Sequence, residues 1–152
     1  GGSDISANQL SRTDWSKFAY PMTQCEPPGS SANPGVPVEP VLYTTPADGV
    51  PVAVVVVHCE VASHPPNAVF VYRLDSSSTT PRLFQVLVSE HDYWLATAPP
   101  RASGSELSLQ VEGYGPSDSG ANPSIRATLS WQWRGNGYQE TSPEPSHQLS
   151  GP

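Results

Sequence analysis

Residues 125–134 alternate strictly between apolar and polar side chains over ten positions. The odd positions hold Ile, Ala, Leu and two Trp, and the even positions hold Arg, Thr, Ser, Gln and Arg. Successive side chains of a β-strand point to opposite faces, so this pattern predicts a strand with one buried and one solvated face. Trp131 and Trp133 share the buried face with the aliphatic residues, which favours a core position over an exposed sugar-binding platform.

Shorter apolar segments precede this strand and are separated by turn residues. Segment 52–61 is apolar on both faces and predicts a central strand, whereas Pro37 and Pro40 remove ladder donors from 36–45 and predict an edge strand. Further strands are predicted at 69–74, 83–88, 92–98 and 106–114. The strand at 125–134 is followed by a predicted type I′ hairpin turn at 135–137 and a return strand from Tyr138. Segment 15–20 fits a short strand or a helical turn. This spacing predicts an all-β fold, either a single antiparallel β-sandwich or a small open barrel.

Composition supports one domain of this class. Pro and Gly together make up 30 of the 152 residues, and only 14 % of the residues are charged, which excludes a coiled coil, a helical bundle and a charge-rich disordered chain. Residues 1–14 are polar without periodicity and are expected to form a flexible tether. The β domain is expected to span 15–139, with a disordered tail over 140–152.

The charge balance narrows the possible partners. The formal net charge is −7, and Lys17 is the only lysine, so the chain lacks the clustered cations that bind nucleic acid and would be repelled by anionic lipid surfaces. The longest apolar run, 52–57, is far shorter than the roughly 20 residues that span a bilayer. We therefore expect no nucleic-acid partner, and contact with a membrane only through an anchor that this sequence does not contain.

The two cysteines indicate the compartment. Cys25 and Cys59 form an even count with wide spacing, which is typical of one disulfide bond in an exported protein. Two buried free thiols in a cytosolic domain are the alternative. We expect the disulfide and therefore an extracytoplasmic location, either secreted or anchored at the cell surface.

The sequence contains short motifs found in enzymes, but their context does not support catalysis. His58-Cys59 and Asp118-Ser119-Gly120 match short motifs of trypsin-like proteases, but the folded part is too short for the two barrels of that fold. The adjacent side chains of His58 and Cys59 would point to opposite faces of a strand and cannot chelate one metal ion. We therefore expect no catalytic residue, no metal and no cofactor.

Two segments combine aromatic, acidic and turn residues, as recognition loops do. One is 90–93, with His91, Asp92 and Tyr93, and the other is 114–118, with Tyr114 and Asp118. These five residues are the predicted ligand-binding candidates. Plain solvated turns are the alternative for both segments.

The central block resembles a known family. The segments that carry the resemblance are 54–59 (VVVVHC), 64–72 (HPPNAVFVY), 81–83 (PRL) and 126–135. They are similar to small extracytoplasmic domains of actinobacterial lipoproteins of the LppP/LprE kind and to related membrane-tethered sensor-like domains. The resemblance implies a β-rich domain with a disulfide between Cys25 and Cys59, and it implies no particular activity.

Together these features predict a non-catalytic, exported domain that binds a ligand or partner at the bacterial cell envelope. It would be the sensor part of an anchored receptor or kinase, or a stand-alone lipoprotein. The expected partner is a cell-wall component or another exported protein. A carbohydrate-binding or cell-wall adhesion module is the alternative.

Overall fold

The computed structural model describes residues 9–18, 20, 35–58, 67–74, 80–92, 94–114 and 123–142. Within these residues the chain forms nine strands in two antiparallel sheets, as the all-β prediction expected. The strands are β1 Val36–Thr44, β2 Val52–His58, β3 Ala68–Leu74, β4 Pro81–Val88, β5 Leu95–Ala96, β6 Arg101–Ser103, β7 Glu106–Gly113, β8 Ile125–Trp133 and β9 Tyr138–Glu140. Residues 9–11 are helical, and two 3₁₀ turns span Trp15–Lys17 and Glu90–Asp92.

The first sheet, sheet A, has the strand order β1-β2-β3-β4. Its central strands β2 and β3 are buried along almost their whole length, because side chains of both faces pack into cores. The prediction of a central strand that begins at residue 52 is confirmed. Strand β1 lies at the edge, as its prolines predicted, and its register with β2 shifts between Val38 and Leu42.

The second sheet, sheet B, has the order β5-β7-β8-β9, with β6 also paired to β7. Its inner face packs against one face of sheet A and forms the core between the two sheets. Trp131 is 3 % exposed and Trp133 is 7 % exposed, so the predicted core positions are confirmed. Strand β8 turns into β9 through a hairpin in which Gly135 has a φ of +82°, a conformation that favours glycine.

The outer face of sheet A is covered by the N-terminal residues, a segment we call the strap (9–18 and 20). Leu10 is fully buried there, and Trp15 and Tyr20 join the same apolar cluster. The ring of Tyr20 stacks on Phe70 with ring centroids 6.0 Å apart. The strap explains why β2 and β3 are apolar on both faces: sheet B covers one face and the strap covers the other.

Three expectations change or lie outside the described residues. The tether predicted for 1–14 needs correction at its C-terminal end, because Leu10 belongs to the core. The strand predicted at 92–98 is instead the 3₁₀ turn Glu90–Asp92 followed by the two-residue β5, and β6 was not predicted. Cys25 and Cys59 lie outside the described residues, so the disulfide stays a prediction.

Candidate functional site

At one side of the sandwich, the side-chain amide of Gln85 forms the pair of hydrogen bonds to a backbone that a neighbouring strand would form. Gln85 on β4 donates from Nε2 to the carbonyl oxygen of Tyr138 at 2.7 Å, and its Oε1 accepts from the Tyr138 N–H at 2.8 Å. We call this pair the edge clamp. A Cβ atom on Gly137 would lie 3.2 Å from Gln85 Oε1, so the glycine gives the clamp its room. The clamp joins edge strand β4 of sheet A to edge strand β9 of sheet B.

The opposite side of the sandwich contains a cavity of about 430 Å³, which we call the edge pocket. It lies between the β1–β2 side of sheet A and the segment 95–100 of the other layer. Eight of its twelve described lining residues are apolar. The lining residues are Val38, Glu39, Pro40, Val56, His58, Asn67, Leu95, Ala96, Thr97, Ala98, Pro99 and Pro100.

Strand geometry explains how sheet A contributes to the edge pocket. Val38 pairs with Val56, so their side chains share the face that looks toward sheet B. His58 follows Val56 by two positions and lies on that same face. Val56 also belongs to the core between the sheets, and Val38 is 39 % exposed. The pocket is therefore the place where the inter-sheet core opens to solvent.

Asn67 fixes the opposite wall of the pocket. Its backbone N–H donates to the carbonyl oxygen of Trp94 at 2.9 Å, and its Oδ1 accepts from the backbone N–H of Ala96 at 2.6 Å. The residue is buried, with 9 % of its surface exposed. Because Asn67 immediately precedes β3, these two hydrogen bonds connect the start of β3 in sheet A to the segment 94–96, which contains β5 of sheet B.

Two residues of the described pocket lining, Glu39 and His58, have ionisable side chains. Burial raises the pKa of Tyr20 and of Tyr43, and the carboxylate of Glu39 adds to both shifts. Glu39 also lines the pocket, so its carboxylate places negative charge at the pocket wall as well as near these two phenols.

The structure places the predicted ligand-binding candidates as follows. Asp92 ends a 3₁₀ turn, and its Oδ2 accepts from the Ser89 N–H at 3.0 Å, so this carboxylate holds its own turn. Tyr114 is 3 % exposed and therefore buried. Tyr93, Asp118 and the side chain of His91 lie outside the described residues.

Sheet register brings the described parts of the two predicted loops to one end of sheet B. Leu95 pairs with Glu112, so the segment that follows Asp92 meets the strand that ends just before Tyr114. The sequence prediction thus selected neighbouring segments, but it missed the edge pocket that begins at Leu95. The three prolines of the pocket lining were the available signal, since Pro40 lies at the register shift of β1 and Pro99 and Pro100 lie between β5 and β6.

No group of three or more His, Cys, Asp or Glu side chains is placed to hold a metal ion in the part of the chain that the structure describes. No helix of these residues is long and apolar enough to cross a membrane. No family model, curated protein or solved structure matches the chain.

Proposed function

We propose that this protein is a non-catalytic binding domain at the bacterial cell envelope, and that the edge pocket is its ligand site. The observation that carries the proposal is the pocket itself: an apolar cavity, continuous with the core, with a few polar groups at its wall. Cavities of about 300–1,000 Å³ with this lining are the usual sites of small-ligand binding. The domain would act as the sensor part of an anchored receptor or kinase, or as a stand-alone lipoprotein.

A binding role agrees with what the polar side chains already do. The Asn67 amide oxygen and the Asp92 carboxylate each bond a backbone N–H, so both groups serve to hold the fold. Nucleophilic or acid–base catalysis needs a base that is free to bond a reacting group. The Asn67 amide is therefore suited to orient a ligand, and the titration below tests whether the His58 imidazole, the base in the described lining, transforms one.

The envelope location rests on the cysteines and the family resemblance. The intact mass of the protein, measured after alkylation without reductant, should show no modified thiol if Cys25 and Cys59 are bonded to each other. Alkylation of both cysteines in the folded, unreduced protein would refute the disulfide and remove the main argument for export.

The binding proposal is tested by blocking the pocket. Val38→Arg places a long cation at the pocket wall, and Val86→Arg makes the same change at a valine of similar exposure on β4, at the opposite edge of sheet A. The isotope-labelled domain is titrated with peptidoglycan fragments, envelope glycans and envelope protein fractions while backbone amides are followed. Amide shifts at 95–98 that disappear in Val38→Arg and persist in Val86→Arg support the proposal.

Other outcomes of this titration would contradict the pocket as the site. Shifts confined to 90–93 and 114–118 would assign recognition to the loops that the sequence selected. Binding that survives Val38→Arg unchanged would also refute a site in the pocket. Turnover of any titrated compound would refute the non-catalytic proposal.

A carbohydrate-binding or wall-adhesion module remains a second candidate because of the outer face of sheet B. A shallow depression of about 370 Å³ lies there, lined by polar side chains that include Gln110, Arg126 and Thr128. Such a row of hydrogen-bonding groups suits a polysaccharide chain lying across the strands. Glycan-induced shifts at 126–128, lost in Thr128→Val, would favour this candidate over the edge pocket.

A further inference from the structure

The body of the edge pocket is aliphatic. Val38, Val56, Leu95 and several prolines line it, and no Phe, Tyr or Trp is among the described lining residues. Sugars are commonly bound by stacking on the rings of those three residue types. The wall chemistry therefore fits a saturated hydrocarbon group better than a sugar ring.

Two of the four polar residues of the described pocket lining meet at one place, whereas Glu39 and Thr97 line it elsewhere on β1 and after β5. Val57 pairs with Ala68, so His58 and Asn67 lie opposite each other at the end of the β2–β3 ladder. Both are two positions from residues that face sheet B, Val56 and Val69, and so share that face. The aliphatic pocket thus has a polar end formed by an imidazole and an amide.

This polar end presents hydrogen-bond donors. The Oδ1 atom of Asn67 accepts from the Ala96 N–H, so the NH₂ group is the part of its amide that can donate to a ligand. The imidazole of His58 carries at least one N–H donor in either tautomer and two when protonated. Donors at the end of an aliphatic cavity suit a ligand that ends in acceptor oxygens.

The geometry points to an aliphatic carboxylate as the ligand of the edge pocket, with its chain against the valine and proline wall and its oxygens at His58 and Asn67. This inference rests on the proposed function, since it names the ligand class of the same site. The carboxylate has two possible sources, a fatty acid or the C-terminus of a short peptide of small aliphatic residues. Both present the same chemistry to this wall.

The test compares three probes: hexanoate and hexan-1-ol, which share the same alkyl chain length, and the larger acetyl-alanyl-alanine. A trimer of N-acetylglucosamine is the sugar probe. Each is titrated into the labelled protein, and the amides of Ala96 and Ala98 are followed. The inference predicts that at least one carboxylate probe saturates these shifts and that hexan-1-ol binds about tenfold more weakly or worse, because it lacks the charged acceptor. The ratio of hexanoate to peptide affinity distinguishes the two sources.

Two variants test the donors. Asn67→Asp keeps an oxygen for the Ala96 N–H but replaces the NH₂ donor with a second carboxylate oxygen, so carboxylate binding should be lost. His58→Leu removes the imidazole donors and should weaken carboxylates while leaving hexan-1-ol unchanged. Unchanged dispersion of the remaining amide spectrum shows that each variant is folded, and His58→Leu keeps the test decisive if Asn67→Asp does not fold.

The outcomes distinguish a wrong ligand class from a wrong binding site. Saturable shifts at 95–98 with wall fragments or the sugar trimer, but with neither carboxylate, would overturn the ligand class and leave the binding site standing. Equal affinity for hexanoate and hexan-1-ol would also overturn it. Shifts that lie outside the pocket with every compound would overturn both.

Discussion

Replacing Gln85 with Met tests whether the edge clamp stabilises the fold. The change keeps the length of the side chain but removes both hydrogen bonds to the backbone of Tyr138, at 2.7 and 2.8 Å. A neutral hydrogen bond contributes about 0.5–1.5 kcal/mol, so two of them predict a loss of about 1–3 kcal/mol in the free energy of unfolding. Tyr138 is buried, which favours the upper part of this range because water replaces its lost partners poorly.

Two further variants make the test specific. Gln85→Glu can still accept from the Tyr138 N–H but sets a carboxylate oxygen against the carbonyl oxygen, so it should destabilise at least as much as Gln85→Met. Gln139→Met makes the matched change at the exposed neighbour on β9 and should cost less than about 0.5 kcal/mol. Urea unfolding followed by tryptophan fluorescence measures all three. A Gln85→Met variant as stable as Gln139→Met would refute the clamp.

Three more perturbations address the rest of the fold. Trp131→Ala should lower the free energy of unfolding by about 3–5 kcal/mol, and a melting temperature equal to that of the parent protein would contradict its core position. Leu10→Ala should cost about 2–5 kcal/mol by calorimetry, because Leu10 is fully buried in the strap; no loss would restore the tether interpretation. Burial raises the pKa of Tyr72 and of Tyr138 from 10.0 to about 12, so the stability contributed by these two phenols is fully present below pH 10 and is lost as the pH rises toward 12. A urea midpoint that does not change between pH 10 and 12 would refute the burial of both phenols.

The strands of this fold could be predicted because their signals are local. The alternation in 125–134 gives both the strand and its buried face, and the two-sided apolar runs give the central positions of β2 and β3. The same two-sided runs required a cover on each face of sheet A, but nothing in the polar pattern of 1–14 identified the strap as one of the covers. Leu10 is a single apolar residue among polar neighbours, and periodicity cannot detect one residue.

The candidate site could not be predicted, because it depends on sheet register and pairing between distant segments. His58 and Asn67 meet only because Val57 pairs with Ala68. Asn67 reaches Ala96 only because two different sheets lie against each other at that point. Sequence reasoning instead selected loops by residue type, and one of the selected residues, Tyr114, proved to be buried.

The two sides of the sandwich differ in how their strand edges are protected from pairing with another chain. On one side the edge clamp joins β4 to β9, which occupies both backbone groups of Tyr138. On the other side an apolar cavity lies between β1 and the segment 95–100. A strand edge that no described strand pairs with, beside an apolar surface, favours the addition of a foreign strand. Pro37 and Pro40 remove backbone donors from β1, and Pro99 and Pro100 do the same between β5 and β6. The prolines therefore limit strand addition at this side, where the edge pocket opens to solvent.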